Sequence, residues 1–288
     1  MSDPFRVKPG KKFKLKDRDP ADTGGMESKK EAKTRLEKGT KRMHELQERL
    51  YAQDCFSLLL VFQAMDAAGK DSTIEHVMSG VNPQGCQVYS FKQPSSEELD
   101  HDFLWRTNRC LPERGRIGIF NRSYYEEVLI VRVHQKILDG QRLPSRCVTP
   151  DIWKERYRDI NAMERYLTQQ GTVIRKFFLN VSKEEQKKRF LARLDEPEKN
   201  WKFSVADAKE RQHWDHYMEA YEDAIEATST DEAPWYVIPA DHKWFMRMAV
   251  AEVIVETLES LDLEFPVLSD EKRNELALAR KLLEEEKG

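Results

Sequence analysis

The sequence predicts an α/β fold, a three-layer α/β/α sandwich with a mainly parallel sheet and helices on both faces. One observation is a continuous apolar segment, residues 56–62, which is typical of a strand buried on both faces. A second is that predicted strands alternate with helices, without an internal repeat. A third is a glycine-containing loop directly after the first strand. Because ligands of such sheets bind at the carboxyl ends of the strands, functional residues are expected in the loops that follow strands.

The composition fits one large domain or two small ones. The 288 residues include 39% hydrophobic residues, sufficient for a core. Charged residues make up 34% but the net charge is only −3, so the overall balance predicts neither nucleic-acid binding nor membrane attachment. No apolar stretch has the length of a membrane span or the setting of a signal peptide. The four cysteines form no CxxC pair, which favours a reducing, cytoplasmic setting over a zinc site or a disulfide framework.

The N-terminal segment, residues 1–54, is predicted to be an arm followed by a helix. Residues 1–25 are rich in lysine, arginine, proline and glycine and are interpreted as an extended arm. A polar helix is predicted over residues 28–52. Its apolar stripe consists of Leu36, Met43, Leu46 and Leu50. Ser28 and Glu31 have the spacing of a capping box at the start of this helix.

The core, residues 55–265, is predicted to alternate between the two element types. Strands are predicted over residues 56–62, 87–91, 116–120, 172–179 and 235–239. Helices are predicted from the loop after the first strand to about residue 79, over 95–110, from the third strand to 138, over 150–169, from 182, and over 205–228 and 243–261. The tail, residues 266–288, is predicted to be a charged helix.

The loop after the first strand is similar to a phosphate-binding loop, or P-loop. Residues 64–72 read Ala-Met-Asp-Ala-Ala-Gly-Lys-Asp-Ser, whereas the Walker A pattern is G-x-x-x-x-G-K-[ST]. Its position between a buried strand and a helix supplies unpaired N–H groups and the positive end of the helix dipole, which both attract phosphate. The alternative is a strand-to-helix turn with a chance Gly-Lys pair. The predicted phosphate-binding residues of this loop are Ala67, Ala68, Gly69, Lys70, Asp71 and Ser72.

Asp66 is the unusual residue of the loop. A carboxylate would repel a phosphate ligand unless it holds magnesium or accepts a proton from an attacking group. The alternative is an acceptor for hydrogen bonds within the loop.

A second polar cluster follows the predicted third strand. Asn121 stands where P-loop enzymes often carry the acid that organises magnesium, and its amide still offers a carbonyl oxygen. Glu126 and Glu127 follow a little over one turn later. Arg122 and Glu126 are four residues apart, so they either belong to the site or form a salt bridge on one helix face.

Residues 106–146 form a basic stretch with nine basic and four acidic residues, an excess of five positive charges in an acidic chain. Arginine predominates, and its planar fork suits phosphate oxygens. The stretch is either a solvated basic face or a groove for a polyanion, and its closeness to the P-loop favours the polyanion. The further predicted phosphate-binding residues are Arg122 and Arg132 in this stretch, Lys92 before it and Arg189 after it.

Residues 182–217 are a predicted helical lid. Two helices flank a proline-containing segment that carries Trp201 and Lys202, and Arg189 and Arg193 share one helix face. Phosphotransferases commonly close such an arginine-bearing lid to exclude water. The alternative is an ordinary helical hairpin with exposed basic side chains.

Several other polar and aromatic side chains are predicted to be packing or surface residues. His213 and His216 flank Asp215, but no further ligand has the spacing of a metal site. Phe103, Trp105 and Trp201 could stack on a nucleobase, although a core role is favoured for each.

Together these segments resemble the polyphosphate kinase 2 family over about residues 5–265. The resemblance rests on residues 65–71, 79–86, 120–126 and 189–202, with 5–10 also similar. It implies a P-loop kinase core like that of thymidylate kinase, Mg²⁺ with Mn²⁺ as an alternative, and phosphoryl transfer between inorganic polyphosphate and nucleoside phosphates. It also implies assembly into homodimers or homotetramers.

The resemblance assigns roles to individual residues. Asp66 and Lys70 are implied as P-loop residues, Asn121 and Arg122 as the Walker B pair, and Arg193 as the lid arginine. For the magnesium ion, Asp66 and Glu126 are the predicted ligands. Asn121 together with Glu126 resembles the class III subgroup, whose members accept both nucleoside mono- and diphosphates.

The sequence therefore predicts a polyphosphate-dependent nucleotide kinase that converts AMP to ADP and ADP to ATP. One alternative is an ATP-dependent nucleoside monophosphate kinase, which could carry the same arginine-rich stretch. Another is a non-catalytic P-loop nucleotide-binding module. Nucleic-acid binding through the basic residues 6–18 is disfavoured by the acidic chain and the lack of interleaved aromatic residues.

Overall fold

Five parallel strands form the sheet of the computed structural model, which describes residues 3–202 and 204–286. The strands are β1 (Ser57–Gln63), β2 (Cys86–Ser90), β3 (Ile117–Asn121), β4 (Thr172–Asn180) and β5 (Trp235–Pro239). Their spatial order is β2-β3-β1-β4-β5, and every neighbouring pair is parallel. The predicted sheet is confirmed, and each strand lies within about one residue of its predicted bounds.

The order of the strands places two loops side by side. β1 is central and fully buried, as its uniform hydrophobicity predicts. β3 is its neighbour, and Phe62 near the end of β1 pairs with Asn121 at the end of β3. The P-loop and the residues after β3 therefore leave the sheet at adjacent positions.

Helices cover both faces of this sheet. They are α1 (Lys29–Gln53), α2 (Lys70–Val77), α3 (Ser96–Leu99), α4 (Trp105–Asn108), α5 (Ile130–Val133), α6 (Gln135–Asp139), α7 (Ile152–Gln169), α8 (Lys183–Asp195), α9 (Val205–Glu210), α10 (Trp214–Thr228), α11 (Lys243–Glu259) and α12 (Asp270–Glu285). Helices α1, α2 and α11 pack together, and α7 packs with α10. The three-layer prediction is confirmed.

Three predicted helices are wrong as continuous elements. The helix predicted over 95–110 is divided into α3 and α4, because the side chain of Asp102 accepts a hydrogen bond from the N–H of Leu104 and forms a turn. The helix predicted over 205–228 is interrupted by a 3₁₀ turn, Arg211–His213. After β3 the chain forms a 3₁₀ helix, Tyr124–Val128, followed by α5 and α6.

Helix α1 is fixed to α11 by packing and ion pairs. The predicted stripe is largely buried, with Met43, Leu46 and Leu50 inside the core. Arg35 Nε lies 2.8 Å from the Glu252 carboxylate of α11. At the start of α1 the Ser28 hydroxyl accepts a bond from the Glu31 N–H, which is half of the predicted capping box.

The N-terminal arm lies along the edge of the sheet rather than free in solvent. Arg6 forms an antiparallel bridge with Tyr236 of β5, and the N–H of Val7 donates to the Trp235 carbonyl over 2.9 Å. Phe13 is buried, and its N–H donates to a Glu226 carboxylate oxygen. The arm therefore covers the edge strand β5, which would otherwise expose unpaired backbone groups.

At the other end of the chain, α12 has no buried residue in the part that the structure describes. Among the described helices, none combines the length and the apolar character that a membrane crossing requires.

Candidate active site

The P-loop, residues 64–69, is a strained turn between β1 and α2. Ala67 has φ 61° and Gly69 has φ 105°, so both lie in the left-handed region. This conformation is unfavourable for alanine and is often retained at functional sites. Because α2 begins at Lys70, the first N–H groups of the helix have no acceptor within it, and the helix dipole adds positive potential there. The turn therefore suits an anion such as phosphate.

Lys70 is buried at the start of α2. Its Nζ donates to the Ala64 carbonyl over 2.9 Å. Burial lowers the pKa of the Lys70 ammonium, and the negative charge of Asp66 opposes this. The Ser72 hydroxyl donates to the Gly69 carbonyl, so it is already engaged in holding the turn.

Arg189, predicted to bind phosphate, lies behind the P-loop and braces its backbone. It donates to the carbonyls of Ala67 and Ala68, to those of Ala240 and Asp241, and to the carboxylate of Glu185. A guanidinium has five N–H groups, and these five bonds use all of them. In this structure Arg189 holds the loop in shape and has no N–H left for phosphate.

Gln186 is a second brace, and sequence reasoning missed it. Its Nε2 donates to the Asp66 carbonyl over 2.9 Å. Gln186 and Arg189 are three residues apart on α8, the helix that follows the strand next to β1. The sequence pattern that could have identified Gln186 is a pair of polar residues at helical spacing on the buried face of that helix.

Asp66 and Arg122 meet across the gap between the two loops. Arg122 Nη2 lies 3.3 Å from Asp66 Oδ1, and each side chain is 40% exposed. Arg122 has φ 63° and lies outside the 3₁₀ helix Tyr124–Val128. The alternative of an Arg122–Glu126 salt bridge on one helix face is wrong, because the described ion pairs of Arg122 include Asp66 but not Glu126.

Glu126 is a half-buried carboxyl group beside the same charges. Burial raises its pKa, while the positive charges of Arg122 and Lys70 act in the opposite direction. Asp66, Lys70, Arg122 and Glu126 thus form one electrostatic cluster of two acids and two cations.

The donor atoms of this cluster fit magnesium. Across residues 3–202 and 204–286 no group of three or more His, Cys, Asp or Glu side chains has the geometry of a metal site. Magnesium takes one or two carboxylates and fills its remaining positions with water and phosphate oxygens. The two carboxylates of Asp66 and Glu126 meet that requirement.

Asn121 joins the end of β3 to the start of α2 directly. Its Nδ2 donates to Asp71 Oδ1 over 2.7 Å. The substituted positions of the Walker A and Walker B patterns therefore contact each other. Sequence reasoning placed each residue near the site but did not pair them.

A buried side-chain network supports the residues after β3, which we call the β3 loop (residues 122–128). The Ser123 hydroxyl accepts a bond from Gln63 Nε2. The hydroxyls of Tyr124 and Tyr125 donate to Glu164 Oε1 over 2.8 and 2.9 Å. Glu164 is paired through Oε2 with the Lys176 ammonium at 2.5 Å, and both are almost completely buried.

The remaining predicted phosphate-binding residues do not contact the P-loop in the structure. Arg132 donates to Asp223 over 2.7 Å and to the Tyr157 hydroxyl over 3.0 Å. Lys92 is exposed. Arg193 is half-buried on α8, with its guanidinium carbon 5.7 Å from the centre of the Phe190 ring.

The predicted lid consists of α8, a 3₁₀ segment Pro197–Lys202, α9 and the start of α10. The side chains of Trp201 and Lys202 lie outside the described residues. His213 lies beside His134, with ring centres 4.9 Å apart, and His134 Nε2 is 2.5 Å from the Glu210 carboxylate. These histidines belong to a packing cluster at the base of the lid.

The aromatic residues considered for base stacking lie against cations of their own. The Arg156 guanidinium carbon is 5.0 Å from the centre of the Phe103 ring. The Trp105 and His101 rings stack with their centres 3.8 Å apart. The Arg109 guanidinium forms a cation–π contact with the Trp105 ring. Both rings therefore already have partners within the fold.

Known proteins share the sequence pattern that forms these two adjacent loops. A family model described as polyphosphate kinase 2 matches residues 26–266. The chain belongs to the polyphosphate kinase 2 family. The resemblance predicted from the sequence is confirmed, and the polyphosphate kinase 2 family consists of phosphotransferases with a P-loop kinase fold. The protein is therefore an enzyme.

Two curated relatives are similar over almost the whole chain. An ADP-polyphosphate phosphotransferase of Rhodopseudomonas palustris is 56% identical over 258 residues, which cover 89% of each chain. An AMP/ADP-polyphosphate phosphotransferase of Meiothermus ruber is 47% identical over 263 residues, 91% of this chain and 94% of the relative.

A solved structure of the family has the same fold. The crystal structure of polyphosphate kinase 2 from Arthrobacter aurescens TC1 superimposes with a TM-score of 0.88 and 43% sequence identity. The match covers 97% of this chain and 96% of the other. The order of strands and helices described above is thus the arrangement of a polyphosphate kinase 2.

Proposed function

We propose that this protein transfers the terminal phosphoryl group of inorganic polyphosphate to AMP and to ADP, giving ADP and ATP. The observation that carries the proposal is the contact of two loops that leave adjacent strands. Four side chains from these strand ends form one cluster beside a turn suited to phosphate: Asp66, Lys70, Arg122 and Glu126. The names of the two curated relatives support the same donor and acceptors.

The reaction is an in-line displacement. A terminal phosphate oxygen of the nucleotide forms a bond to the end phosphorus of polyphosphate. The anhydride bond behind that phosphorus breaks, and its electron pair remains on the bridging oxygen, which becomes the new end of the shortened chain. The attacking oxygen is already ionised near neutral pH, so the protein mainly positions the reactants and neutralises their charge.

The side chains divide this work. Lys70 and Arg122 are the two cations of the cluster and would bind phosphate oxygens, exchanging their present contacts with Ala64 and Asp66. Arg193 on the lid would add a cation when the lid closes over the substrates. Arg189 and Gln186 keep the P-loop carbonyls fixed, so that its N–H groups stay aligned.

Asp66 and Glu126 would hold magnesium, with manganese as a substitute. The ion supplies charge neutralisation and orientation of the phosphates when it is bound. Glu126 is half-buried and has no ion pair with a described residue, so no salt bridge would have to be broken for it to bind the ion.

An assay without ATP separates this proposal from its alternatives. The protein is incubated with AMP, Mg²⁺ and polyphosphate, and the nucleotides are separated by chromatography. We expect ADP first and then ATP. An ATP-dependent monophosphate kinase would leave AMP unchanged in this mixture, and that result would overturn the proposal.

The first prediction concerns Asp66. Asp66→Asn should lower kcat by at least about 10²-fold, because it removes the proposed metal ligand and its charge. Unchanged circular dichroism and thermal unfolding would show that the fold is intact. Asp54→Asn, at the end of α1 and away from the cluster, is the matched control. Near-normal turnover of Asp66→Asn would remove it from the site.

We further propose that the enzyme works in the cytoplasm as a homodimer or homotetramer. Four free cysteines support a reducing compartment. Exposed apolar side chains of α12, among them Leu276, Leu282 and Leu283, support contact with another copy. Light scattering of the full chain and of a chain truncated after residue 268 tests the assembly. A monomer at micromolar concentration would contradict it.

A further inference from the structure

A cavity of about 780 Å³ lies between α1, the end of α2 and the start of α11. Its lining includes Leu36 of α1, Gly80 after α2, and Trp244 and Arg247 of α11. Asp66, Lys70 and Arg122 are not part of this lining. The α1–α11 cavity is thus separate from the active site, and its volume falls within the range of about 300–1,000 Å³ that small-molecule sites occupy.

The α1–α11 cavity is strongly basic in an acidic chain. Lys29, Lys33, Lys41 and Arg247 line it, against one acid, Glu37. Glu37 lies 3.9 Å from Lys33, whereas Lys29 and Lys41 have no ion pair with a described residue. The excess of positive charge along this cavity would favour binding of an anion.

Two polar atoms of the lining are buried without a partner. Arg247 Nε and His44 Nδ1 are inaccessible to solvent and form no hydrogen bond in the described structure. Buried polar groups are normally bonded, because an unpaired group loses its hydration without compensation. Burial also lowers the pKa of Arg247, and Glu75 opposes this. An anion in the cavity would offset the charge of the Arg247 guanidinium, although its buried Nε itself stays out of reach.

The cavity also offers an apolar surface. Trp244 and Leu36 are half-buried, and Trp244 lies against His242 with ring centres 5.8 Å apart. An aromatic ring with cations around it suits a planar base attached to phosphates. Inorganic polyphosphate has no apolar part and would leave Trp244 and Leu36 unused.

We propose that the α1–α11 cavity is a second binding site for a nucleoside phosphate. The base lies against Trp244 and Leu36, and the phosphates contact Lys29, Lys33 and Arg247. The site also adjoins α2, the helix that follows the P-loop, because the residue before Arg247, Met246, lies 3.8 Å from the Thr73 hydroxyl of α2. A nucleotide bound here touches the helix that supports the P-loop.

Equilibrium dialysis of the full chain with labelled ADP, without polyphosphate, counts the sites. We expect two ADP molecules per chain in the wild type. Arg247→Ala and Trp244→Ala should each reduce the count to one, or weaken the second site at least tenfold. Lys38→Ala, an exposed α1 residue outside the cavity, is the matched control and should keep two.

Two further dialysis experiments test whether the cavity binds a nucleotide rather than any polyanion. Saturating tripolyphosphate should leave bound the one ADP that depends on Trp244, because polyphosphate has no base to lie against that ring. If it displaces both, or if Trp244→Ala has no effect, the cavity is a polyanion site and the proposal is wrong. One ADP per wild-type chain, sensitive to Lys70→Ala, would also overturn it. Turnover from polyphosphate is measured separately, so failure of this site leaves the proposed function standing.

Discussion

The two loops that leave β1 and β3 side by side are held in different ways. The P-loop is held through its backbone: Arg189 and Gln186 donate to the carbonyls of residues 66–68, and Lys70 to that of Ala64. The β3 loop is held through its side chains, because Tyr124 and Tyr125 are anchored on Glu164, which pairs with Lys176.

The difference follows from what each loop contributes. The P-loop offers backbone N–H groups, so fixing its carbonyls fixes the donors on the other side of the same peptide units. The β3 loop offers the side chains of Arg122 and Glu126, so anchoring the adjacent tyrosines sets where those side chains begin. Loss of the bonds to the P-loop carbonyls should mainly impair catalysis. Loss of the Glu164 network should mainly lower the stability of the fold.

Lys176→Met should have the largest effect on stability. It leaves Glu164 buried and unpaired, which costs about 3–5 kcal/mol in the free energy of unfolding. Urea denaturation followed by circular dichroism measures the loss. Lys176→Met combined with Glu164→Gln should recover most of it, since the remaining amide can still accept from the tyrosine hydroxyls. If Lys176→Met alone is as stable as the wild type, the buried network does not contribute to stability.

Arg189→Lys should impair catalysis more than stability. A lysine keeps the charge but cannot hold the carbonyls of Ala67, Ala68, Ala240 and Asp241 together. Misplacement of the P-loop by about 1 Å can cost 10²-fold, so we expect kcat/KM for polyphosphate to fall by about that factor. Lys188→Ala, exposed on the same helix, is the matched control. Equal kcat/KM for Arg189→Lys and wild type would contradict the bracing role.

The sequence predicts contacts between the two loops better than the side chains that support them, because the supporting residues are far apart along the chain. Asp66, Lys70 and Arg122 follow strands, and parallel strands end at one edge, so their proximity is predictable. The bracing role of Arg189 is not predictable, because four of its five acceptors lie far away along the chain. Lys176 interrupts an apolar strand, which signals a buried partner, but Glu164 on the preceding helix has no local spacing that identifies it.

Asn121→Asp tests the contact between the end of β3 and the start of α2. It places an acid at the usual Walker B position but also puts a second carboxylate beside Asp71, where an amide now donates over 2.7 Å. We expect kcat/KM to fall about tenfold. Adding Asp71→Asn should restore a hydrogen bond, giving a coupling of about 1–3 kcal/mol in a double-mutant cycle. Additive effects would show that the two residues act independently.

Arg132→Ala should have the smallest effect, although Arg132 belongs to the basic stretch that predicts a polyphosphate groove. Its guanidinium is already paired with Asp223 and Tyr157, so little of its charge is free for a substrate. Arg122, whose only described ion pair is with Asp66, is the contrasting variant. With long-chain polyphosphate we expect KM to rise less than about threefold for Arg132→Ala and at least about tenfold for Arg122→Ala. If Arg132→Ala raises KM for long chains but not for tripolyphosphate, the groove extends beyond the two loops to α10.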